Sequence, residues 1–163
     1  MKLSELLKQL EPTSVAFTDI GRNRDSLTPV PAAFPDPSCL HRNVTSGAMA
    51  DGFSCERGHP VFPIRLPSRA VSLSVGDLDP GARTSNHRHA YESLLYIIEG
   101  TGYTVIEGES FAWRAGDALY VPPWCWHQHV ASDLTKARYI TATNMPALIA
   151  MGQTVMREED RGE

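Results

Sequence analysis

The stretch GARTSNHRHAYESLLYIIEG, residues 81–100, decides the fold class. It joins a histidine pair, His87 and His89, to a run of aliphatic and aromatic residues that ends in Glu-Gly. Side chains two positions apart on a β-strand share one face, so the two imidazoles can converge on a single point. A second stretch, GDALYVPPWCWHQH at residues 116–129, ends in another H-x-H pair. Two such pairs in one small domain favour a metal site more strongly than either pair alone.

Around these two stretches, the chain after Pro67 consists of short runs rich in β-branched and aromatic residues. Gly, Pro or Asp bounds each run at intervals of roughly ten residues, a pattern typical of all-β barrels and sandwiches. Glycines at residues 99–102 and 107–108 tolerate positive φ and predict antiparallel hairpins. The predicted strands are Val71–Val75, Ser93–Ile98, Tyr103–Ile106, Ser110–Trp113, Ala118–Val121, His127–Val130 and Ala137–Thr143.

We divide the chain into three segments. Residues 1–60 are predicted to hold a short amphipathic helix, with leucines at positions 3, 6, 7 and 10, followed by a Pro-rich arm. Residues 61–148 form the all-β domain. Residues 149–163 are a C-terminal tail, and its charged end, which begins at Arg157, is expected to be frayed and solvated.

The composition excludes several classes of protein. The 163 residues, of which 42% are hydrophobic, suffice for one domain with a sizeable core. The net charge is -4 and the basic residues are scattered, so nucleic acid is not an expected partner. No apolar run approaches the ~18 residues of a membrane span, and no secretory leader is recognisable, so we expect a cytoplasmic protein without a membrane partner. The three cysteines contain no C-x-x-C pair and are interpreted as free thiols.

The two histidine motifs resemble the two signature motifs of the cupin superfamily. The matching patterns are G-x5-H-x-H at residues 81–89 and G-D-x4-P-P-x3-H at residues 116–127. The resemblance covers the predicted all-β domain and implies a cupin jelly-roll barrel, also called a double-stranded β-helix. It also implies that His87, His89 and His127 surround one metal ion inside the barrel.

Within the cupins, the sequence is similar to the ring-cleaving gentisate 1,2-dioxygenases. The similarity lies in the HRH motif, in the Glu-Gly pair ten residues after it and in PPWCWHQH at residues 122–129. It implies an Fe(II) dioxygenase that holds its iron with three histidines and acts on a small aromatic hydroxy-acid or a related chelating compound. Members of that family usually contain two cupin halves, whereas this chain is long enough for one. Leu95 stands where the family commonly has Arg, and Asn144 where it tends to have Asp.

One position departs from the usual cupin pattern. Cupins usually have a Glu four residues after the second histidine, and this sequence has Ser93 there. Glu92 lies one residue too early, and a one-residue offset turns a side chain to the opposite face of a regular strand. Unless a bulge intervenes, Glu92 is therefore predicted to point away from the histidines. A three-histidine site is favoured over one with three histidines and a glutamate.

The chemistry of the ligands leaves the metal and the reaction open. Neutral imidazoles suit iron, and Zn, Ni, Mn or Cu are alternatives to Fe(II). Three ligands leave coordination positions for a chelating substrate and O2, and a site without a carboxylate favours an anionic ligand. A metal-dependent isomerase or lyase and a non-catalytic small-molecule-binding cupin remain alternative functions, because a fold does not select a reaction.

Several further residues are candidates around the metal. His129 shares the face of His127 and could take a proton from a substrate hydroxyl. Trp124 and Trp126 could stack on an aromatic substrate, and Arg83 could bind its carboxylate. Arg88 alternates with the two ligands and should face outward. Cys125 is interpreted as a buried thiol and is assigned no role in the site. His41 and His59 in the Pro-rich arm are also assigned no role.

The strand after the first motif is apolar on both faces. Leu94, Tyr96 and Ile98 form one face, while Leu95 and Ile97 form the other. An apolar outer face needs a cover, which the Pro-rich arm or a second subunit could supply. We expect a homodimer.

Overall fold

The computed structural model describes residues 35–46, 54 and 57–160. The predicted N-terminal helix and most of the Pro-rich arm lie outside these residues. Short 3-10 helices at Pro37–Cys39 and Val44–Ser46 precede the first strand, and helix α1 (Met145–Ala150) follows the ninth. The strands of the described part are β1 (Val61–Ile64), β2 (Ser72–Leu78), β3 (His87–His89), β4 (Ser93–Glu99), β5 (Thr101–Ile106), β6 (Glu109–Arg114), β7 (Ala118–Val121), β8 (His127–Ala131), β9 (Ala137–Thr143) and β10 (Arg157–Glu159).

The strands form two five-stranded antiparallel sheets. One has the order β1-β2-β9-β4-β7 and the other the order β10-β3-β8-β5-β6. The chain passes repeatedly from one sheet to the other, which is the arrangement of a jelly roll. The predicted all-β fold class, a jelly roll, is confirmed, and each predicted strand corresponds to an observed one. No helix in the described part of the chain is long and apolar enough to cross a membrane.

Three observed strands, β1, β3 and β10, are absent from the list of predicted strands, although the first histidine pair was interpreted as lying on a strand. Strand β1 contains Pro63 and lies at the edge of its sheet, where a residue without an N–H group is tolerated. Strand β10 pairs with β3, so residues 157–159 are not the frayed tail that their charge suggested. The sequence did not indicate this strand, because ion pairs hold it in place of apolar side chains. Arg88 contacts Glu158 at 2.7 Å, and Arg157 contacts Glu159 at 2.6 Å.

The core lies between the inner faces of the two sheets. Leu95 and Ile97 of β4 are buried at 3% and 1% exposure. Leu94 and Tyr96, which alternate with them along the strand, are exposed at 56% and 52%. The predicted alternation of the two apolar faces is therefore confirmed. Burying the inner side chains contributes roughly 2 kcal/mol each to the free energy of folding.

The glycine that closes the first motif is required by close packing. Gly100 joins β4 to β5 with a φ of +85°. A Cβ atom at this position would lie 2.2 Å from the carbonyl oxygen of Lys136, a distance that only a backbone shift could relieve. Any other residue would thus disturb the turn that sets the register of β5.

An ion-pair cluster around the buried carboxylate of Asp77 joins β2 to β9. The Asp77 carboxylate accepts two hydrogen bonds of 2.7 Å from the Arg138 guanidinium, and Lys136 Nζ lies 2.9 Å from Asp77 Oδ2. Asp77 is only 6% exposed. The hydrogen bonds from Arg138, followed by those from Lys136, lower the pKa of Asp77 despite its burial.

Replacing Asp77 with asparagine is expected to destabilise the protein by about 2 kcal/mol at pH 7, because charged hydrogen bonds are lost in a buried setting. The folded-state pKa of Asp77 lies below its unfolded value of about 3.9. The stabilisation is therefore complete above that value and disappears as the pH falls through the folded-state pKa. Denaturant unfolding between pH 3 and 7 checks this; the exposed Asp79, changed to asparagine, is the control. Equal losses for the two variants would contradict the assignment.

Candidate metal centre

Three buried histidines meet between β3 and β8. His87 and His89 lie on β3, and His87 is the cross-strand partner of His127 on β8. Their candidate ligand nitrogens all lie within 4.8 Å of one another. The three side chains are between 2% and 7% exposed. The structure thus brings together the three residues that the sequence singled out as metal ligands.

Backbone carbonyl groups orient all three imidazoles in the same way. Nδ1 of His87 lies 2.9 Å from the carbonyl oxygen of Ser85, and Nδ1 of His127 lies 2.9 Å from that of Cys125. Nδ1 of His89 lies 2.6 Å from the carbonyl oxygen of Tyr91. A carbonyl oxygen only accepts, so each Nδ1 carries the hydrogen and each Nε2 keeps a free lone pair. This is the tautomer that a metal ligand requires.

Burial keeps the three imidazoles neutral. Desolvation, followed by the charge of His127, lowers the pKa of His89 to about 4 and that of His87 further below its ordinary value. Desolvation also lowers the pKa of His127. A metal ion would therefore meet unprotonated nitrogens at neutral pH and would not have to displace protons from them.

The cupin glutamate position is confirmed as a serine that faces the histidines. Ser93 is 3% exposed, and its Oγ lies 3.5 Å from Nε2 of His89. Glu92 points away, because Oε1 accepts a hydrogen bond of 3.2 Å from Asn144 and Oε2 one of 3.3 Å from Tyr120. Ser93 is the first residue of the regular pairing between β4 and β7. Side chains therefore alternate between the two faces from this residue on, and Glu92 points away from the histidines.

His129 lies beside the three histidines and belongs to a separate hydrogen-bond chain. Its Nδ1 is 2.9 Å from Oγ1 of Thr104, which accepts the indole N–H of Trp113, also at 2.9 Å. The hydrogen of the Thr104 hydroxyl is then available to Nδ1, which assigns the imidazole hydrogen to Nε2. Burial and the nearby His127 hold the pKa of His129 well below its ordinary value. In this tautomer His129 is a hydrogen-bond donor, whereas the base predicted from the sequence would need an unprotonated Nε2.

A cavity of about 320 Å³ adjoins the histidines, and its wall includes residues that the sequence did not indicate. Tyr139 donates its hydroxyl hydrogen to Nε2 of His59 at 2.9 Å, since Nδ1 of His59 is engaged by the carbonyl oxygen of Arg57. Arg57 and Arg157 also line the cavity. His59 and Arg57 belong to a segment without periodicity, and only the folded topology places them here.

The other predicted substrate-binding residues lie elsewhere. The Arg88 guanidinium is 4.5 Å from the ring centroid of Trp124 and 4.7 Å from that of Trp126, so the indoles enclose an arginine. Arg88 faces away from the histidines, as predicted. Neither tryptophan lines the cavity, and neither does Arg83, whose backbone bridges to Val130. The prediction that Trp124 and Trp126 bind the substrate is therefore wrong. Arg88 lies between the two ligands on β3 and faces outward, and the indoles pack against it there.

Cys125 is a half-buried free thiol outside the cavity lining. Burial, followed by the charge of Glu107, raises the pKa of this thiol. The prediction of a buried thiol is wrong in this respect, because Cys125 is partly exposed at the end of the loop before β8.

The arrangement can hold one divalent transition metal and present it to a small molecule. Three neutral nitrogen donors satisfy half of an octahedral coordination shell. The three histidines line the cavity, which is large enough for one small aromatic ligand.

Comparison with known proteins identifies the same segment. A family model described as "Cupin domain" matches residues 74–143. The 5-aminosalicylate 1,2-dioxygenase of Comamonas sp. is 34% identical over 82 residues, which are 50% of this chain and 21% of that protein. The 5-nitrosalicylic acid 1,2-dioxygenase of Bradyrhizobium sp. is 31% identical over 85 residues, or 52% of this chain and 41% of that protein.

A solved structure extends the likeness to three dimensions. The salicylate 1,2-dioxygenase from Pseudaminobacter salicylatoxidans superposes with a TM-score of 0.57 at 18% identity. The match covers 63% of this chain and 30% of that one, and at this identity it shows the fold. The chain spans less than half the length of these relatives.

Proposed function

We propose that this chain is a cupin and an Fe(II)-dependent dioxygenase, because residues 74–143 match the cupin domain model and the chain resembles part of the gentisate-type dioxygenases. Its substrate is a small aromatic hydroxy-acid or a related chelating compound, and its second substrate is O2. His87, His89 and His127 are the proposed iron ligands.

The observation that carries the proposal is the common orientation of three buried imidazoles. Each Nδ1 is held by a backbone carbonyl, so three Nε2 lone pairs are available at the same cavity. Purely structural histidines would not need this shared tautomer. The donor set fits Fe(II), and it also accepts Zn, Ni or Cu, with Mn less well matched.

The choice of iron and of an oxygenase is supported by relatives named as 1,2-dioxygenases of aromatic acids. When bound, Fe(II) supplies the one-electron chemistry that allows O2 to react with an aromatic ring. The protein residues supply the remaining functions. Ser93, in place of a carboxylate, leaves the three-histidine set without negative charge and so favours an anionic substrate.

His129 is proposed to act on the substrate without binding the metal. Its Nε2–H can donate a hydrogen bond to a substrate oxygen, and the Thr104 hydroxyl holds the ring in the required orientation. His129 is itself buried, at 6% exposure, which strengthens such a polar contact.

We also propose that the chain forms a homodimer. Leu94 and Tyr96 of β4 and Tyr120 of β7 expose apolar surface side by side on the outer face of one sheet. A second subunit could bury this surface.

Oxygen uptake by iron-loaded protein tests the proposed function. We expect protein reconstituted anaerobically with Fe(II) to consume O2 when given hydroxylated aromatic acids, and protein loaded with Zn(II) to consume none, because Zn(II) has no redox chemistry. An oxygen electrode gives the readout across a panel that includes β-diketones. If protein with verified iron consumes no O2 on any compound, the lyase or binding-protein alternative replaces the oxygenase.

A further inference from the structure

Two arginines line the cavity from segments outside the matched domain. Arg57 precedes β1, and Arg157 begins β10, whereas the family model covers residues 74–143. In the described part of the chain, these two are the only cavity-lining residues with a full charge at neutral pH, and neither Asp nor Glu joins them. Glu159, which pairs with Arg157, supplies one negative charge beside the cavity, so the two arginines leave a net positive charge there.

Strand register fixes Arg157 on the histidine face. Arg157 is the cross-strand partner of His89, and Glu159 is the partner of His87. Directly opposed residues of an antiparallel pair point to the same side of the sheet, with Cβ atoms about 5 Å apart. The residue between them, Glu158, faces the other side and pairs with Arg88. The two arginine–glutamate pairs of this edge thus lie on opposite faces.

The Arg157 guanidinium is fixed and retains donors for a ligand. Its Nε donates to Oε1 of Glu159 at 2.8 Å, and Nη2 lies 2.6 Å from the same oxygen. Ser85 donates to the other oxygen of Glu159. This pairing engages one edge of the guanidinium, and Nη1 carries two further N–H groups. Only 19% of the Arg157 side chain is exposed, so its interaction with an anion is weakly screened.

Arg57 is held on the same cavity by an aromatic side chain. Its guanidinium hydrogen-bonds the Tyr91 side chain. The Tyr91 ring in turn stacks on His89, with ring centroids 3.9 Å apart and planes inclined by 5°. Arg57 is thereby linked to a proposed iron ligand without occupying the ligand position. Burial, followed by repulsion from Arg157, lowers the pKa of Arg57.

We propose that Arg157 and Arg57 form the carboxylate-binding end of the cavity and make the protein selective for anionic over neutral ring compounds. The proposal rests on the proposed function, because it takes the bound molecule to be the substrate. The two half-buried guanidinium groups are opposed by the single carboxylate of Glu159, and the net positive charge that remains favours a ligand that brings its own negative charge. Such a ligand directs its carboxylate to the arginines and its oxygen substituent to the histidines.

The test compares salicylate with its neutral analogue salicylamide on full-length protein loaded with Zn(II), in which no turnover occurs. Isothermal titration gives the ratio of the two affinities. Arg157→Met removes the charge and keeps a flexible side chain, and we expect it to lower the salicylate preference about 10- to 100-fold. The matched control is Arg88→Met, which breaks the arginine–glutamate pair on the opposite face and should leave the ratio unchanged.

Arg57→Met keeps the proposal testable if Arg157→Met fails to fold, and we expect it to lower the ratio as well. An unchanged ratio in the folded variants, or no salicylate preference in the unaltered protein, overturns the proposal. If the ratio falls but iron-loaded protein consumes no O2, the anion site stands and the oxygenase function fails. If O2 is consumed while the ratio is unchanged, only the assignment of the arginines fails.

Discussion

Replacing His87 with alanine is expected to reduce bound divalent metal from about one per chain to background. The structure offers His87 as one of three converging imidazoles, and a site with two ligands loses both affinity and geometry. Changes to residues that merely support a ligand already cost about 10- to 100-fold in metal affinity, so loss of a ligand should cost more. Plasma emission analysis of the purified variant, after exposure to Fe(II) and desalting, checks the metal content.

Glu92→Gln is the matched control for this loss. Its carboxylate lies near the same motif but contacts Asn144 and Tyr120, so the neutral and nearly isosteric glutamine should leave the metal content unchanged. Equimolar metal in His87→Ala would contradict the ligand assignment. Loss of metal in Glu92→Gln would instead show that a bulge turns Glu92 toward the histidines.

Replacing His129 with alanine is expected to lower turnover by iron-loaded protein about 100- to 1,000-fold while the iron content falls little, because a hydrogen-bond donor to the reacting oxygen is lost. The side chain adjoins the cavity, yet Nδ1 is engaged by Thr104 and His129 is not one of the three clustered ligands. The paired readouts are oxygen uptake and iron content of the same sample. Equal losses of iron and activity would make His129 a ligand or a structural support.

A second variant separates the two roles available to His129. Glutamine can place an amide N–H near the position of Nε2–H, but it cannot accept a proton at neutral pH. If His129 donates a hydrogen bond, His129→Gln should recover a substantial part of the activity that alanine loses. If His129 is the base predicted from the sequence, glutamine and alanine should be equally inactive.

The sequence could predict the fold and the histidine cluster because both follow from local patterns. Alternation with a period of two places His87 and His89 on one face, and the same rule separates Ser93 from Glu92. The rule fails only where the chain leaves regular strands. Parity on β3 correctly turned Arg88 outward, but the turn before His127 could not reveal that Trp124 and Trp126 would pack against that arginine.

The remaining cavity residues could not be predicted, because tertiary topology alone brings them to the site. Arg57 and His59 lie in a Pro-rich segment without periodicity. Arg157 belongs to a three-residue strand whose pairing with β3 depends on ion pairs. From the sequence alone, a short charged segment of this kind is predicted to be solvated. Side chains from distant segments of the chain show no regular spacing in the sequence. The sequence therefore indicated Arg83, which lies in the first motif, in place of Arg57 and Arg157.

The ratio of O2 consumed to aromatic substrate lost, measured with protein of known iron content, tests directly whether this chain is a ring-cleaving dioxygenase. We expect one O2 to disappear for each ring that loses its aromatic absorbance, and the rate to follow the bound iron through reconstitution and chelation. Iron held at about one per chain with no O2 uptake on any hydroxylated aromatic acid or β-diketone would contradict the claim.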